Sequence, residues 1–485
     1  MVEPLFWLDR QTIHRYAEVG CGFGFGLDFA RQSLGWAVQG YDPSPAAAAG
    51  RELLGLPIIP DYLGPETLQG VPPFDLILAS EVIEHVPDPH GFLNALAPAI
   101  TPTGWLILTT PSASGVHPAA TPASLLPLLT PGYHLVLFSA TSLTRLLEDH
   151  GFIHHCRRET ATTLTIIASR QPFVANPDAV LDRGLYRAYL QQRLASLDPE
   201  LPLAHGLAGR LFKEQVNVGH YLQALDTFFY LAASIGRRYG LDLDDPDQVL
   251  DAYSVPSDFY RFATTGPMNL CGLAYRRGFL ALHHEQQADR ALRYFKLGEL
   301  AGSALRQALR GIGADDGETE HLVALCQLGV LEAAVAGQNL PAVHDWLRRL
   351  TTEPALAACQ AQANLLIARC FTDRVLAGDH GMADLLLTAL PATVPADLPA
   401  NADRDAGRFL LARGLFALNR EGDATGALAW LAAAREQLKS LVTEGDELAR
   451  ELLQTLLIAL VYAQATASPA EALVNTLVRQ ADAQR

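Results

Sequence analysis

Up to about residue 170, short apolar runs alternate with stretches whose apolar residues recur at helical spacing, the pattern of a parallel sheet covered by helices. Tyr16–Val19 reads as a strand running into a glycine-rich turn, with a helix over Leu27–Leu34. A strand over Ala37–Tyr41, a helix over Ala46–Leu54 and a buried strand over Phe74–Ala79 follow. Helices are expected around Glu81–Val86 and Pro89–Ile100, then a strand over Trp105–Thr110 and a helix over Ser139–His150 that Gly151 ends. Phe152–Arg157 and Thr162–Ala168 lie too close for a crossover helix, so they are expected to pair as an antiparallel hairpin.

After Pro172 strand signals stop and long Leu- and Ala-rich helical patterns take over, which predicts one domain over residues 1–171 and an all-α domain over residues 172–485. Three segments there share a spacing: Gly278 with Ala291 and Phe295, Gly329 with Ala342 and Trp346, Gly414 with Ala427 and Leu431. Cys370, Ala383 and Leu387 repeat it with Cys for Gly. A small residue followed by Ala and then a bulky apolar residue suits helix–turn–helix packing, in which the large side chain fills the space the small one leaves. The pattern resembles tetratricopeptide repeats, with a turn one residue longer and irregular intervals; an irregular helical array reads equally well.

A chain of 485 residues, 49% hydrophobic and 18% charged, is folded and has two or three domains. The net charge of −16 argues against wrapping nucleic acid or docking on an anionic membrane. Six cysteines without a C-x-x-C spacing fit a reducing cytoplasm. The N-terminus, interrupted by Glu3, Asp9 and Arg10, does not read as a signal peptide. Apolar runs are expected to break short of a membrane span.

Glu18-Val19-Gly20-Cys21-Gly22-Phe23-Gly24 joins a strand to a helix, where glycines let the backbone approach a ligand. It lacks the third glycine spacing of dinucleotide binders, since Phe25 and Leu27 stand there. Asp42, in Tyr41-Asp42-Pro43-Ser44, ends the second strand, where a carboxylate can accept from both ribose hydroxyls. Asp61-Tyr62 precedes the strand that begins Pro73-Phe74-Asp75. In order and spacing these residues resemble the class I S-adenosylmethionine-dependent methyltransferases, from Tyr16 to Ala168. That resemblance implies a Rossmann-like α/β domain with a seven-stranded, mostly parallel sheet. It also places Gly20, Gly22 and Gly24 around the methionyl part of S-adenosylmethionine and Asp42 at the ribose, with Glu18, Cys21 and Pro43 among the cofactor-binding residues. Asp61 and Tyr62 would border the adenine, with Ser80 and Glu81 beside the cofactor.

Ser80-Glu81-Val82-Ile83-Glu84-His85 falls at the carboxyl edge of the sheet. Ser80 is a candidate N-cap, and a helix would put Glu81, Glu84 and His85 on one face. The run resembles ubiquinone-biosynthetic O-methyltransferases and small-RNA 2′-O-methyltransferases, whose Glu-x-x-Glu-His with a later His can hold a divalent metal ion. Here Glu81, Glu84, His85 and His134 would be its ligands, with Glu84, His85 and His134 catalytic. The residues alone leave three readings: a metal that lowers the pKa of an acceptor hydroxyl, His85 as base without metal, and no catalytic role. The N-terminal helices usual over the cofactor are short or missing, and Pro111, Pro118, Pro122, Pro127 and Pro131 mark a segment suited to a wall or lid.

The expected activity is O-methylation of a hydroxyl on a glycan or a small molecule, the glycan because multidomain bacterial methyltransferases often modify surface polysaccharides. RNA is disfavoured, since residues 1–170 hold 8 Lys and Arg against 15 Asp and Glu. The helical domain is expected to hold substrate, a protein partner or a second copy. The alternative is a cofactor-binding scaffold without chemistry.

Overall fold

The computed structural model describes residues 2–120, 122–252, 258–353, 356, 358–390, 403–443 and 446–468. Seven strands form one sheet in the order β3-β2-β1-β4-β5-β7-β6. They are β1 Arg15–Val19, β2 Ala37–Tyr41, β3 Ile58–Ile59, β4 Phe74–Ser80, β5 Ile100–Pro111, β6 His154–Glu159 and β7 Thr163–Ser169. The first five are parallel, β7 runs antiparallel to β5, and β6 and β7 pair antiparallel as their short separation requires. Leu76, Ile77, Leu78 and Ala79 of β4 are all buried, the continuous apolar run of a strand covered on both faces.

The covering helices are α1 Phe25–Phe29, extended by a π turn over Ala30–Leu34, α2 Pro45–Leu54, α3 Pro89–Leu96, α4 Pro122–Leu129 and α5 Ala140–Asp149. Their starts follow local chemistry. Ser44 accepts from the N–H of Ala47 with Pro45 at the first helical position, and Ser139 and Ser142 form a capping box for α5. The helix expected over Glu81–Val86 is a single 3₁₀ turn, Ile83–His85, and the proline-marked segment contains α4. Two 3₁₀ turns, Glu3–Phe6 and Arg10–Thr12, precede β1, and Leu5, Trp7 and Leu8 are buried against the sheet's core.

The chain divides into two compact units: residues Met1–Asp244 with Ala252–Asn269 and Ala304–Thr319, and a second made of Asp245–Asp251, Leu270–Ser303 and the residues from Glu320 on. Among the described residues the last strand ends at Ser169, but the next helices, α6 Arg183–Ser196, α7 Pro202–Asn217 and α8 Tyr221–Tyr239, belong to the same unit as the sheet. Phe29 of α1 packs with Tyr189, Leu190, Leu207 and Leu211. Beside it Asp28 is fully buried; its carboxylate accepts from the Tyr189 hydroxyl at 2.8 Å and from Arg31 at 3.1 Å, and Arg193 Nε stands 2.8 Å away as an ion-pair partner.

Further helices are α9 Pro246–Ala252, α10 Phe259–Thr265, α11 Leu270–Phe279 with a π turn over Leu280–His284, α12 Ala288–Gly311, α13 Gly317–Ala336, α14 Leu340–Thr352, α15 Gln360–Leu376, α16 His380–Leu387, α17 Asp403–Phe416, α18 Ala424–Thr443 and α19 Glu447–Ala467. A Cβ at Gly278 would stand 2.9 Å from the Phe295 ring and one at Gly414 2.6 Å from Leu431, so these two spacings do mark close helix approach. Gly329 instead faces Phe295 of the preceding segment, at 2.7 Å. One expectation needs correction. α13 and α19 are long and apolar enough to cross a membrane by length and composition alone, charges such as Glu332 in α13 being too few to lower the average; 56% of the α13 stretch and 22% of the α19 stretch are buried in the fold.

The Asp28 cluster sets an expected outcome. Arg193→Met leaves a buried carboxylate with one cation fewer and should destabilise the chain by about 3 kcal/mol. Tyr189→Phe should cost about 1 kcal/mol. Urea denaturation of the full chain measures both, and equal stability of Arg193→Met and wild type would refute the role given to the pair.

Candidate active site

The loop after β1 is shaped by its backbone. Gly20 has φ +67°, and a Cβ there would lie 2.4 Å from Val82 Cγ2, so only glycine lets the loop meet the segment that follows β4. Asp42, at the end of β2 and nearly buried, fixes the loop from the other side. Its Oδ2 accepts from the Gly22 N–H and its Oδ1 from the Ser44 N–H, each at 2.7 Å. A carboxylate has about four acceptor positions, so two remain for ligand hydroxyls. Pro43 is exposed in the same turn. Asp61 and Tyr62 follow β3; Asp61 accepts from the Tyr62 N–H, and the Tyr62 ring is 76% exposed.

Beneath the loop Glu18 is buried, accepts from the Tyr16 hydroxyl and has its pKa pushed up to about 7 by burial, against which Tyr16 acts in the opposite direction. Gly26 adjoins it: a Cβ there would be 2.6 Å from Glu18 Oε2. Burial likewise raises the Cys21 thiol to about 12, which keeps it protonated. Gly24 opens α1 at φ +81°.

At the carboxyl end of β4 the geometry departs from a helical face. Ser80 caps nothing; its hydroxyl meets that of Thr109 at 2.7 Å. Glu81 adopts φ +56°, outside the 3₁₀ turn, and accepts from Thr109 at 3.0 Å. Desolvation raises the Glu81 pKa, Glu84 adds to it, and Thr109, His134 and His85 oppose. Glu84, His85 and His134 do converge, each offering a ligand atom within 4.8 Å of the others, while Glu81 stands outside that triplet. The imidazole rings of His85 and His134 lie 4.8 Å apart, edge to face.

The hydrogen bonds around the triplet set its chemistry. His85 Nδ1 lies 3.1 Å from the Tyr133 carbonyl and His134 Nδ1 2.6 Å from the Leu128 carbonyl. A carbonyl only accepts, so this network assigns the hydrogen to Nδ1 in both rings and leaves Nε2 with a lone pair when the ring is neutral. Glu84 is fully buried, its Oε2 accepts from Thr110 at 3.0 Å, and its Oε1 has no hydrogen-bond partner, with His85 Nε2 3.9 Å away. Two lone-pair nitrogens held from behind by carbonyls, beside an unsatisfied buried carboxyl oxygen, are donors of the kind that suit a divalent cation. Val82, three residues before His85, is the residue against Gly20, so the segment leading into the 3₁₀ turn of Glu84 and His85 meets the glycine-rich loop.

Sequence reasoning missed Thr109, Thr110 and Gly26. The two threonines could have been noticed as polar residues ending the apolar run Trp105–Leu108, and β4–β5 pairing puts Thr109 opposite Ser80.

Residues 5–155 match a family described as a methyltransferase domain. Over 115 residues the chain is 32% identical to a ubiquinone biosynthesis O-methyltransferase of Paraburkholderia phymatum, covering 22% of this chain and 49% of that one. A protein of the same name from Methylobacterium sp. is 37% identical over 101 residues, 19% of this chain and 39% of that one. The chain thus spans about half, or less, of the length of these relatives. Among solved structures, an O-methyltransferase family protein from Burkholderia thailandensis aligns with a TM-score of 0.29 at 16% identity, covering 33% of this chain and 52% of that one. A phosphoethanolamine N-methyltransferase 2 of Haemonchus contortus, in complex with S-adenosyl-L-methionine, aligns with a TM-score of 0.27 at 14% identity, covering 33% and 49%.

Glu18 gives this site a pH signature. Its ordinary pKa is 4.5 and its folded value about 7, so across that window the folded chain keeps a proton that the unfolded chain releases. Its contribution to stability therefore falls as pH rises from 4.5 to 7, by about 3 kcal/mol in all, and is level above. Glu18→Gln should abolish that fall, and unfolding free energies measured at several pH values check it; a wild-type-to-variant difference that does not change with pH would contradict it.

Proposed function

We propose, on the premise that residues 5–155 are a class I S-adenosylmethionine-dependent methyltransferase domain, that the chain transfers a methyl group to a hydroxyl oxygen beside His85 and His134. The observation that carries the proposal is the pair of Nε2 lone pairs set by the Tyr133 and Leu128 carbonyls, next to Glu84 Oε1, in the turn whose lead-in segment meets the glycine-rich loop.

Methyl transfer from a sulfonium is an in-line displacement: the acceptor oxygen bonds to the methyl carbon as the carbon–sulfur bond breaks and S-adenosylhomocysteine leaves. The hydroxyl is a poor nucleophile until it loses its proton, and an imidazole Nε2 is the group placed to take it. Glu84, buried beside the rings, leaves Oε1 without another hydrogen-bond partner 3.9 Å from His85 Nε2. Thr110 holds the other Glu84 oxygen and so directs Oε1 toward the imidazoles. The donor set also fits a divalent ion, held by Glu84, His85 and His134, which when bound would lower the acceptor's pKa.

Tyr133 and Leu135, on either side of His134, are 71% and 55% exposed, and Leu126 and Leu129 of α4 are exposed as well. Apolar side chains left in water around a reactive pair suit an acceptor with an aromatic or apolar face. A small phenolic molecule is therefore favoured over a glycan. The all-α region, read as a tetratricopeptide-like array, would serve a second role in binding.

Transfer of label from S-adenosylmethionine to simple phenols and sugars by the full chain tests this. His85→Ala and His134→Ala should each lower turnover by about 100-fold or more while leaving S-adenosylhomocysteine affinity close to wild type. Asp42→Ala should weaken that affinity by about tenfold. Chelator that abolishes turnover identifies the ion as essential; turnover intact in chelator but lost in His85→Ala assigns the proton to the imidazole alone. Full activity in both histidine variants would overturn the proposal.

A further inference from the structure

Within the second unit lies a cavity of about 480 Å³, a size typical of small-ligand sites. It arises because helices turn one stripe each toward the same space. Leu325, Leu328, Gly329 and Glu332 recur at the spacing of one α13 face, and Leu365, Arg369 and Thr372 do so on α15. Aromatic rings of Tyr275, Phe295 and Phe409 contribute to the walls; Phe295 and Phe409 are buried and Tyr275 half-buried.

The charges along the lining are unequal in how they are used. Arg369 is paired with Glu332 at 2.6 Å, and Arg408 with Asp373 at 2.8 Å. Both guanidiniums thus have carboxylates of their own. Asp405 also lines the cavity, is exposed, and pairs with no cation among the described residues. Among the carboxylates and guanidiniums, counting Asp373 behind Arg408 and leaving aside His283, whose Nε2 lies 3.9 Å from Glu332, the local balance is one negative charge in excess. A carboxylate without a partner, beside ring faces that attract cations, selects for positive charge.

We propose that this cavity binds a small organic cation, an ammonium or quaternary ammonium group on an apolar body, with the body against Phe295 and Phe409 and the charge toward Asp405. The site is separate from the cofactor loop and from the Glu84–His85–His134 triplet, and it does not depend on the reaction proposed for them. An anionic ligand of the same shape would meet the excess negative charge, and its ion pairing would require breaking Arg369 from Glu332 or Arg408 from Asp373.

The test is calorimetric titration of the full chain with benzyltrimethylammonium, in saturating S-adenosylhomocysteine, and with phenylmethanesulfonate as the control of opposite sign. The cation should bind at one site, and Asp405→Asn should weaken it about fivefold (roughly 1 kcal/mol). Leu328→Trp, which fills the cavity from α13, should weaken it by more than about tenfold, and the sulfonate should bind far more weakly than the cation. Asp405→Asn is a surface change that leaves folding intact, so the charge comparison stands even if Leu328→Trp does not fold. Absence of cation binding, sulfonate binding of equal strength, or cation binding indifferent to Asp405→Asn overturns the proposal.

Discussion

Glu84 is the group on which the arrangement of the first unit's reactive edge depends. Its carboxyl is out of water, a state that costs several kcal/mol unless its oxygens are satisfied. Thr110 at the end of β5 satisfies one. The Glu84 backbone carbonyl meanwhile accepts from Leu135 and Val136, which fixes the stretch that carries His134. One residue therefore ties together a strand end, the 3₁₀ turn and a distant loop, and its remaining oxygen faces the place where the two imidazoles meet. Buried polar groups left half-satisfied in this way mark positions where a structure exchanges stability for chemistry.

The cofactor side of the domain obeys a related constraint. Asp42 bridges the Gly22 and Ser44 amides, so the glycine-rich loop and the start of α2 are held by one carboxylate that still has acceptor capacity. Glu18 below it is held protonated to higher pH by burial, and glycine at position 26 leaves it room. The same sheet edge thus carries two carboxylates supplied with donors, at Asp42 and Glu18, and one left half-satisfied, at Glu84. This separation of environments allows similar side chains to do different work.

The helical region divides its roles as well. α6 and α7 pack with α1, and the buried Asp28 cluster joins α6 to it. The helix that begins at the glycine-rich loop is thereby braced by residues some 160 positions away in sequence. The helices of the second unit instead leave a cavity lined by aromatic rings and by charges already paired, Asp405 apart. A helical array of this sort need not be a solid core, because each hairpin contacts mainly its neighbours and the stripes facing inward enclose space.

Local sequence determined most of the sheet. Runs such as Leu76–Ala79 and the short link between β6 and β7 each fix their element through nearest-neighbour chemistry, and so they were legible along the chain. The motif Glu84-His85 with a later His134 was legible too, as residue types in order. What tertiary structure decided was which of those groups meet. Helical spacing put Glu81 with Glu84 and His85, but Glu81 takes a left-handed backbone conformation and bonds Thr109, because β4 pairs with β5 and places Ser80 opposite that threonine. The tautomers of His85 and His134 depend on the carbonyls of Tyr133 and Leu128, and Asp28 depends on Tyr189 and Arg193. In each case the deciding partner lies beyond the reach of periodicity or capping, since desolvation and hydrogen bonding act through space and sequence patterns report only on neighbours along the chain.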